Sequence, residues 1–98
     1  MALSDTRIRG LKPKAQRYEA ADAGGLFVEV QPSGAKVWRY RYRLNGRREK
    51  VTIGHYPAIP LADQVKDGKV VTRGARSYHA EYQSMVAAGR SPAHHTHE

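Results

Sequence analysis

A chain of 98 residues has room for one small domain with one modest core. Hydrophobic residues at 40% and charged residues at 27% give a globular rather than a disordered balance, and the lack of cysteine excludes disulfide frameworks and thiolate zinc sites. The 17 Lys and Arg against nine Asp and Glu leave a formal charge of +8, which points to a polyanionic partner, nucleic acid before a membrane surface.

No apolar run approaches the ~20 residues that cross a bilayer, and the N-terminal stretch lacks an apolar block of signal-peptide length. Ser4 is a helix N-cap with Asp5 in the first turn, where a negative charge suits the helix dipole. Ile8 and Leu11 share a face, and Pro13 stops this short helix. Tyr18–Ala21 reads as a weak strand and Asp22-Ala-Gly-Gly25 as a turn. From Leu26 to Gln31 the pattern alternates, with Leu26, Val28 and Val30 facing one way. After the Pro32–Ala35 turn, Lys36–Leu44 alternates again: Trp38, Tyr40, Tyr42 and Leu44 on one side, Arg39, Arg41 and Arg43 on the other. Asn45-Gly46 is a strong hairpin signal, because both central residues of a type I′ turn need positive φ. Arg47–Ile53 returns, with Val51 and Ile53 apolar and Arg48, Lys50 and Thr52 opposite in parity.

Further on, Leu61, Ala62 and Val65 suggest a short helical face that Gly68 interrupts, and Lys69–Thr72 is strand or loop. Tyr78, Tyr82, Met85 and Val86 give Ala75–Ala88 a helical period, closed by Gly89 and Pro92. The expected fold is therefore α+β: a three-stranded antiparallel sheet, with a short extra strand at Tyr18–Ala21, packed on a short N-terminal helix and on C-terminal helices. One domain over residues 1–92 and a disordered tail over 93–98 are expected.

A loop at Asn45-Gly46 places Trp38 opposite Ile53 and Tyr40 opposite Val51, so the apolar faces coincide. The same register sets Arg39 against Thr52, Arg41 against Lys50 and Arg43 against Arg48. Like charges directly across a sheet are destabilising, and a strand kept basic only to resist edge aggregation has no need of so uniform a sign. The stretch from Lys36 to Ile53 carries seven cations and one acid, Glu49. Such a face suits phosphates. A two-stranded ribbon enters the ~12 Å major groove of B-DNA, and a strand from Lys36 to Leu44 reaches roughly 30 Å. In that placement Arg39, Arg41 and Thr52 meet base edges, while Arg43, Arg48 and Arg47 meet phosphates. Lys36 closes the same basic stretch.

The series Ser4-Asp-Thr-x-Ile8-x-x-Leu-Lys-Pro13, Asp22-x-Gly-Gly-Leu26, Val30-x-Pro-Ser-Gly34-x-Lys36-x-Trp38-Arg-Tyr-Arg-Tyr42-Arg, Asn45-Gly46 and Ile53-Gly-x-Tyr-Pro57-x-x-x-Leu61-Ala resembles a known family. It is similar to the N-terminal arm-type DNA-binding domain of prophage and genomic-island integrases, tyrosine recombinases of the P4-like kind. The resemblance covers residues 3–65. It implies a sheet that reads arm-type repeats in the major groove, with Arg39, Arg41, Arg43, Arg48 and Lys50 as DNA contacts and Trp38, Tyr56 and Pro57 as structural markers. It further implies a role in positioning the recombinase for DNA integration and site-specific recombination, other integrase protomers as partners, and a cytoplasmic, nucleoid-associated place in a bacterial host. Family members open a continuous helix at the position of Leu61-Ala62. Here the interval to Gly89-Arg-Ser-Pro92 is longer and contains Gly68 and Gly74.

Nothing in the chain matches the recombinase catalytic set, so no enzymatic activity, cofactor or metal is expected of it. The six tyrosines read as core or rim residues rather than nucleophiles. His94, His95 and His97 read as a solvated or vector-derived tail, His55 as structural, and Asp22-Ala-Gly-Gly lacks the spacing of a phosphate loop. Phe27 faces outward, either as a solitary surface aromatic or as a contact to a thymine methyl or sugar. An RNA or single-strand binder is the rival reading, disfavoured because Trp38, Tyr40 and Tyr42 lie on the face away from the arginines. A truncated integrase remnant acting as an interaction fragment through Tyr78–Val86 is a third.

Overall fold

Ser4 accepts a hydrogen bond from the Arg7 amide at 3.2 Å and so caps the first helix, α1 (Asp5–Gly10). Six residues are too few to hold a helix in water, and α1 is retained by Ile8, which is fully buried. In this computed structural model, which describes residues 2–92, four strands follow: β1 (Tyr18–Ala21), β2 (Leu26–Val30), β3 (Lys36–Leu44) and β4 (Arg47–Tyr56). They form one antiparallel sheet in chain order. The extra strand expected at Tyr18–Ala21 is thus a regular edge member, paired along its whole length with β2. The tail over 93–98, with His94, His95 and His97, lies outside the described residues.

Asn45 and Gly46 take the positive φ values, 52° and 77°, that the hairpin requires. The predicted register holds from Leu44↔Arg47 to Arg39↔Thr52. It then slips by one residue at a bulge, so that Trp38 lies opposite Gly54 rather than Ile53. Beyond the bulge β4 continues to Tyr56, past the expected end at Ile53.

The larger correction falls between Leu61 and Thr72. The short helical face expected at Leu61, Ala62 and Val65 is instead a second hairpin, β5 (Gln64–Lys66) and β6 (Lys69–Thr72), outside the main sheet. Its turn is Asp67-Gly68, with φ 54° and 75°, flanked by β-branched Val65, Val70 and Val71. Local turn chemistry therefore overrides an i, i+4 apolar spacing too short to sustain a helix. Among the described residues one further helix, α2 (Ala75–Ala87), follows it.

α1 and α2 cover the same face of the sheet. Leu3, Ile8, Leu26, Val28, Trp38, Leu61 and Ala75 form one buried cluster, and Tyr40, Tyr42, Val51, Tyr82 and Met85 form another. Trp38 is wholly buried and its indole N–H donates to the Ile59 carbonyl at 2.7 Å, so its one polar atom is satisfied. Each fully buried large apolar side chain contributes roughly 1.5–3 kcal/mol relative to exposure, which makes this face the stable floor of the sheet.

Candidate nucleic-acid interface

The pairing registers decide which side chains share the opposite, outer face. Glu19 and Ala21 of β1, Phe27 and Glu29 of β2, Val37, Arg39, Arg41 and Arg43 of β3, and Arg48, Lys50, Thr52 and His55 of β4 belong to it. Trp38, Tyr40 and Tyr42 are turned the other way and are buried. The expected split of the β3–β4 ribbon into an apolar inner surface and a cationic outer one is present.

The cations of that face are in two states. Arg43, Arg48 and Lys50 are exposed near the hairpin tip. Among the described residues, no hydrogen-bond or ion-pair partner reaches their charged groups. Glu49, the acid of the ribbon, does not neutralise them from their own face. It lies opposite Tyr42 and accepts hydrogen bonds from the Tyr42 hydroxyl and the Ser91 hydroxyl, each at 2.7 Å.

Nearer the sheet centre the arginines are engaged. Arg39 is half-buried, with Nη2 3.5 Å from Oε2 of Glu29, and its Nε is buried without a partner. Arg41 donates from Nη2 to both carboxylate oxygens of Glu19, at 2.9 and 3.1 Å, and its guanidinium carbon lies 4.5 Å from the Phe27 ring centroid. The nearly acid-free face expected from Lys36–Ile53 is therefore acid-free only toward the tip. Glu19 and Glu29 come from β1 and β2, adjacent in space but outside that stretch of sequence. Phe27, at 3% exposure, is neither a surface aromatic nor open to a thymine methyl. It is the plate on which Arg41 rests.

Two of the expected contact residues leave this face. Lys36 pairs with Tyr56 on the helix side of the sheet, and its Nζ donates to the Arg9 carbonyl at 3.3 Å. Arg47 pairs with Leu44, also of inner parity, and is exposed at the tip. Strand periodicity explains both: 36 has the parity of Trp38, and 47 stands opposite 44. Residues that the sequence reading passed over are Glu19 and Glu29, for which outward parity was a signal only once strand order was known. Arg7, Lys12, Lys14 and Arg17 form a further run of exposed cations before β1.

Burial pushes the Tyr40, Tyr56 and Tyr82 hydroxyls above their ordinary range. Tyr40 and Tyr82 belong to the buried cluster beneath the sheet, and the Tyr56 hydroxyl donates to Asp5 Oδ1 at 2.8 Å. Among the described residues no group of His, Asp and Glu is arranged to hold a metal ion, and no helix is long and apolar enough to cross a membrane.

A family model described as an arm DNA-binding domain matches residues 3–98. Prophage integrase IntA of Escherichia coli K12 is 35% identical over 98 residues, covering 98% of this chain and 21% of the relative. The integrase of enterobacteria phage P4 is 31% identical over 105 aligned positions, covering 92% of this chain and 24% of the relative. The integrase of Shigella phage Sf6 is 38% identical over 61 residues, with 62% and 16% covered. The chain spans less than a quarter of the length of each of these relatives.

Proposed function

The chain belongs to the arm DNA-binding domain family, and from that premise we propose that it binds double-stranded DNA sequence-specifically through the outer face of the β3–β4 ribbon. In this reading residues 1–92 are the N-terminal module of a phage-type integrase. The module holds a tyrosine recombinase on arm sites during integration and site-specific recombination, beside other integrase protomers and on the host nucleoid in the cytoplasm.

The observation that supports it most is the patch of exposed, unpaired cations Arg43, Arg48 and Lys50 on one side of a ribbon whose aromatics are buried on the other. Like charges held this close in water carry a cost that a polyanion relieves. The ribbon lies in the major groove, Arg39, Arg41 and Thr52 over base edges, with Arg43, Arg48, Lys50 and the tip residue Arg47 at phosphates. Lys36 is left out of this contact set, since it lies on the helix side of the sheet and donates to the Arg9 carbonyl.

Anisotropy titration of the 98-residue chain against a duplex, and against each of its single strands, over a range of salt tests this. The duplex binds more tightly than either strand. With about five phosphates neutralised, log K falls with log salt at a slope of roughly −4 to −5. Preference for a single strand, or binding indifferent to salt, rejects the reading.

A further inference from the structure

Arg41 differs from Arg43 and Arg48 in being held on two sides. Glu19 of β1 takes Nη2 with both oxygens, and Phe27 of β2 lies beneath the guanidinium. Phe27 is itself buried, and the Arg41 amide donates to the Gly25 carbonyl at 2.9 Å, so backbone and ring plane are both fixed. The side chain is drawn across the sheet toward β1, away from Lys50, its cross-strand neighbour. It is nevertheless 52% exposed, and the clamp occupies Nη2 alone. The hydrogens on Nε and Nη1 have no partner among the described residues.

An ion pair with no net charge adds little to counterion release, which depends on uncompensated cations. Donors of fixed direction contribute something else: they discriminate between base edges. A free arginine must be ordered when it meets a base, whereas one already clamped has lost that freedom beforehand. Glu19 is a partly exposed carboxylate on a face meant for phosphates, so on its own it weakens binding to every duplex alike.

We propose that Glu19 and Phe27 are positioning residues that make Arg41 the specificity-determining contact, its guanidinium presented in one orientation to the acceptor edge of a guanine. This inference rests on the duplex-binding reading above. It divides the interface into a clamped reader at the sheet centre and unclamped phosphate contacts at the tip. The clamp gives up general affinity and gains selectivity.

The test uses the 98-residue chain, a duplex recovered by it from a random library, and a shuffled duplex of the same length and composition. Glu19→Gln binds the shuffled duplex as tightly as the unsubstituted chain or more so, while the ratio of the two dissociation constants falls roughly ten-fold, within the range one base contact supplies. Repeating the library selection with Glu19→Gln loses one guanine from the recovered site. Phe27→Leu, with folding checked by circular dichroism, lowers the ratio in the same way. If Phe27→Leu does not fold, Glu19→Gln, which alters a surface pair, decides alone. An unchanged ratio in Glu19→Gln, with both duplexes strengthened equally, overturns the proposal, since Glu19 is then only a repelling charge. An unsubstituted chain that binds duplexes without any preferred sequence overturns it, together with the sequence specificity proposed above, while duplex binding itself stands. Failure to bind any duplex removes that reading and this inference together.

Discussion

Asp22 and Arg76, 54 residues apart in the chain, meet through two hydrogen bonds, Nη2 to Oδ1 at 3.0 Å and Nε to Oδ2 at 3.1 Å. The same carboxylate accepts from the Leu3 amide at 2.8 Å, and Arg76 also donates to the Leu3 carbonyl at 3.1 Å. One buried acid thus ties the N-terminus, the turn after β1 and helix α2 together beneath the sheet.

Burial alone pushes the Asp22 carboxyl up, but the hydrogen bonds from Arg76 and the Leu3 amide, with the charges of Arg76 and His79, outweigh it and hold the group below its ordinary value. A carboxyl so depressed contributes stability that is fully present above the unfolded value of about 4 and is lost as pH falls through the folded value. Asp22→Asn is expected to cost about 2 kcal/mol at pH 7, or roughly 10 °C in melting temperature for a chain of this size. The gap between the variant and the unsubstituted chain narrows below about pH 4. Thermal melts followed by circular dichroism from acid to neutral pH check both statements.

Gly25 is the backbone partner of Arg41 and has φ +90°. A methyl group there would overlap the carbonyl of Arg41 in β3. Gly25→Ala combines left-handed strain with a backbone clash that no rotamer change relieves, and is expected to cost at least about 3 kcal/mol. Gly10→Ala, where an added methyl meets nothing within 4 Å, is the control and should stay within about 0.5 kcal/mol. Urea denaturation of the two variants measures the difference.

Arg43 and Arg48 face each other across the ribbon. Replacing either with Gln removes a like-charge contact and should raise stability by a few tenths of a kcal/mol. The same change should weaken selected and unrelated duplexes alike and reduce the magnitude of the salt slope by about 0.9. Stability and affinity thus move in opposite directions. Melting curves and salt titrations on the same samples read both. A substitution that lowers both would mean that these arginines serve the fold instead.

The β3–β4 hairpin was legible because its determinants are local. Asn45-Gly46 dictates the turn, and the alternation of aromatic with arginine dictates the faces. The β5–β6 hairpin carried a comparable signal in Asp67-Gly68, but the spacing of Leu61, Ala62 and Val65 concealed it. Its valines do not settle the matter by burial, since Val65, Val70 and Val71 are 61%, 56% and 60% exposed. The slip at Trp38/Arg39 was not legible either. It accompanies the packing of Ile53 and Ile59 against the buried cluster that contains Trp38, which brings together residues from several elements.

For this protein, residue order alone established a cationic ribbon with an oily reverse, because side-chain alternation in a strand follows from backbone geometry and needs no other element. Tertiary structure alone decided which of those cations are unpaired. Glu19 and Glu29 reach Arg41 and Arg39 only after β1 and β2 have docked beside β3 in one register. An ion pair between strands is set by distance in space, and that distance has no counterpart in the local pattern of either strand.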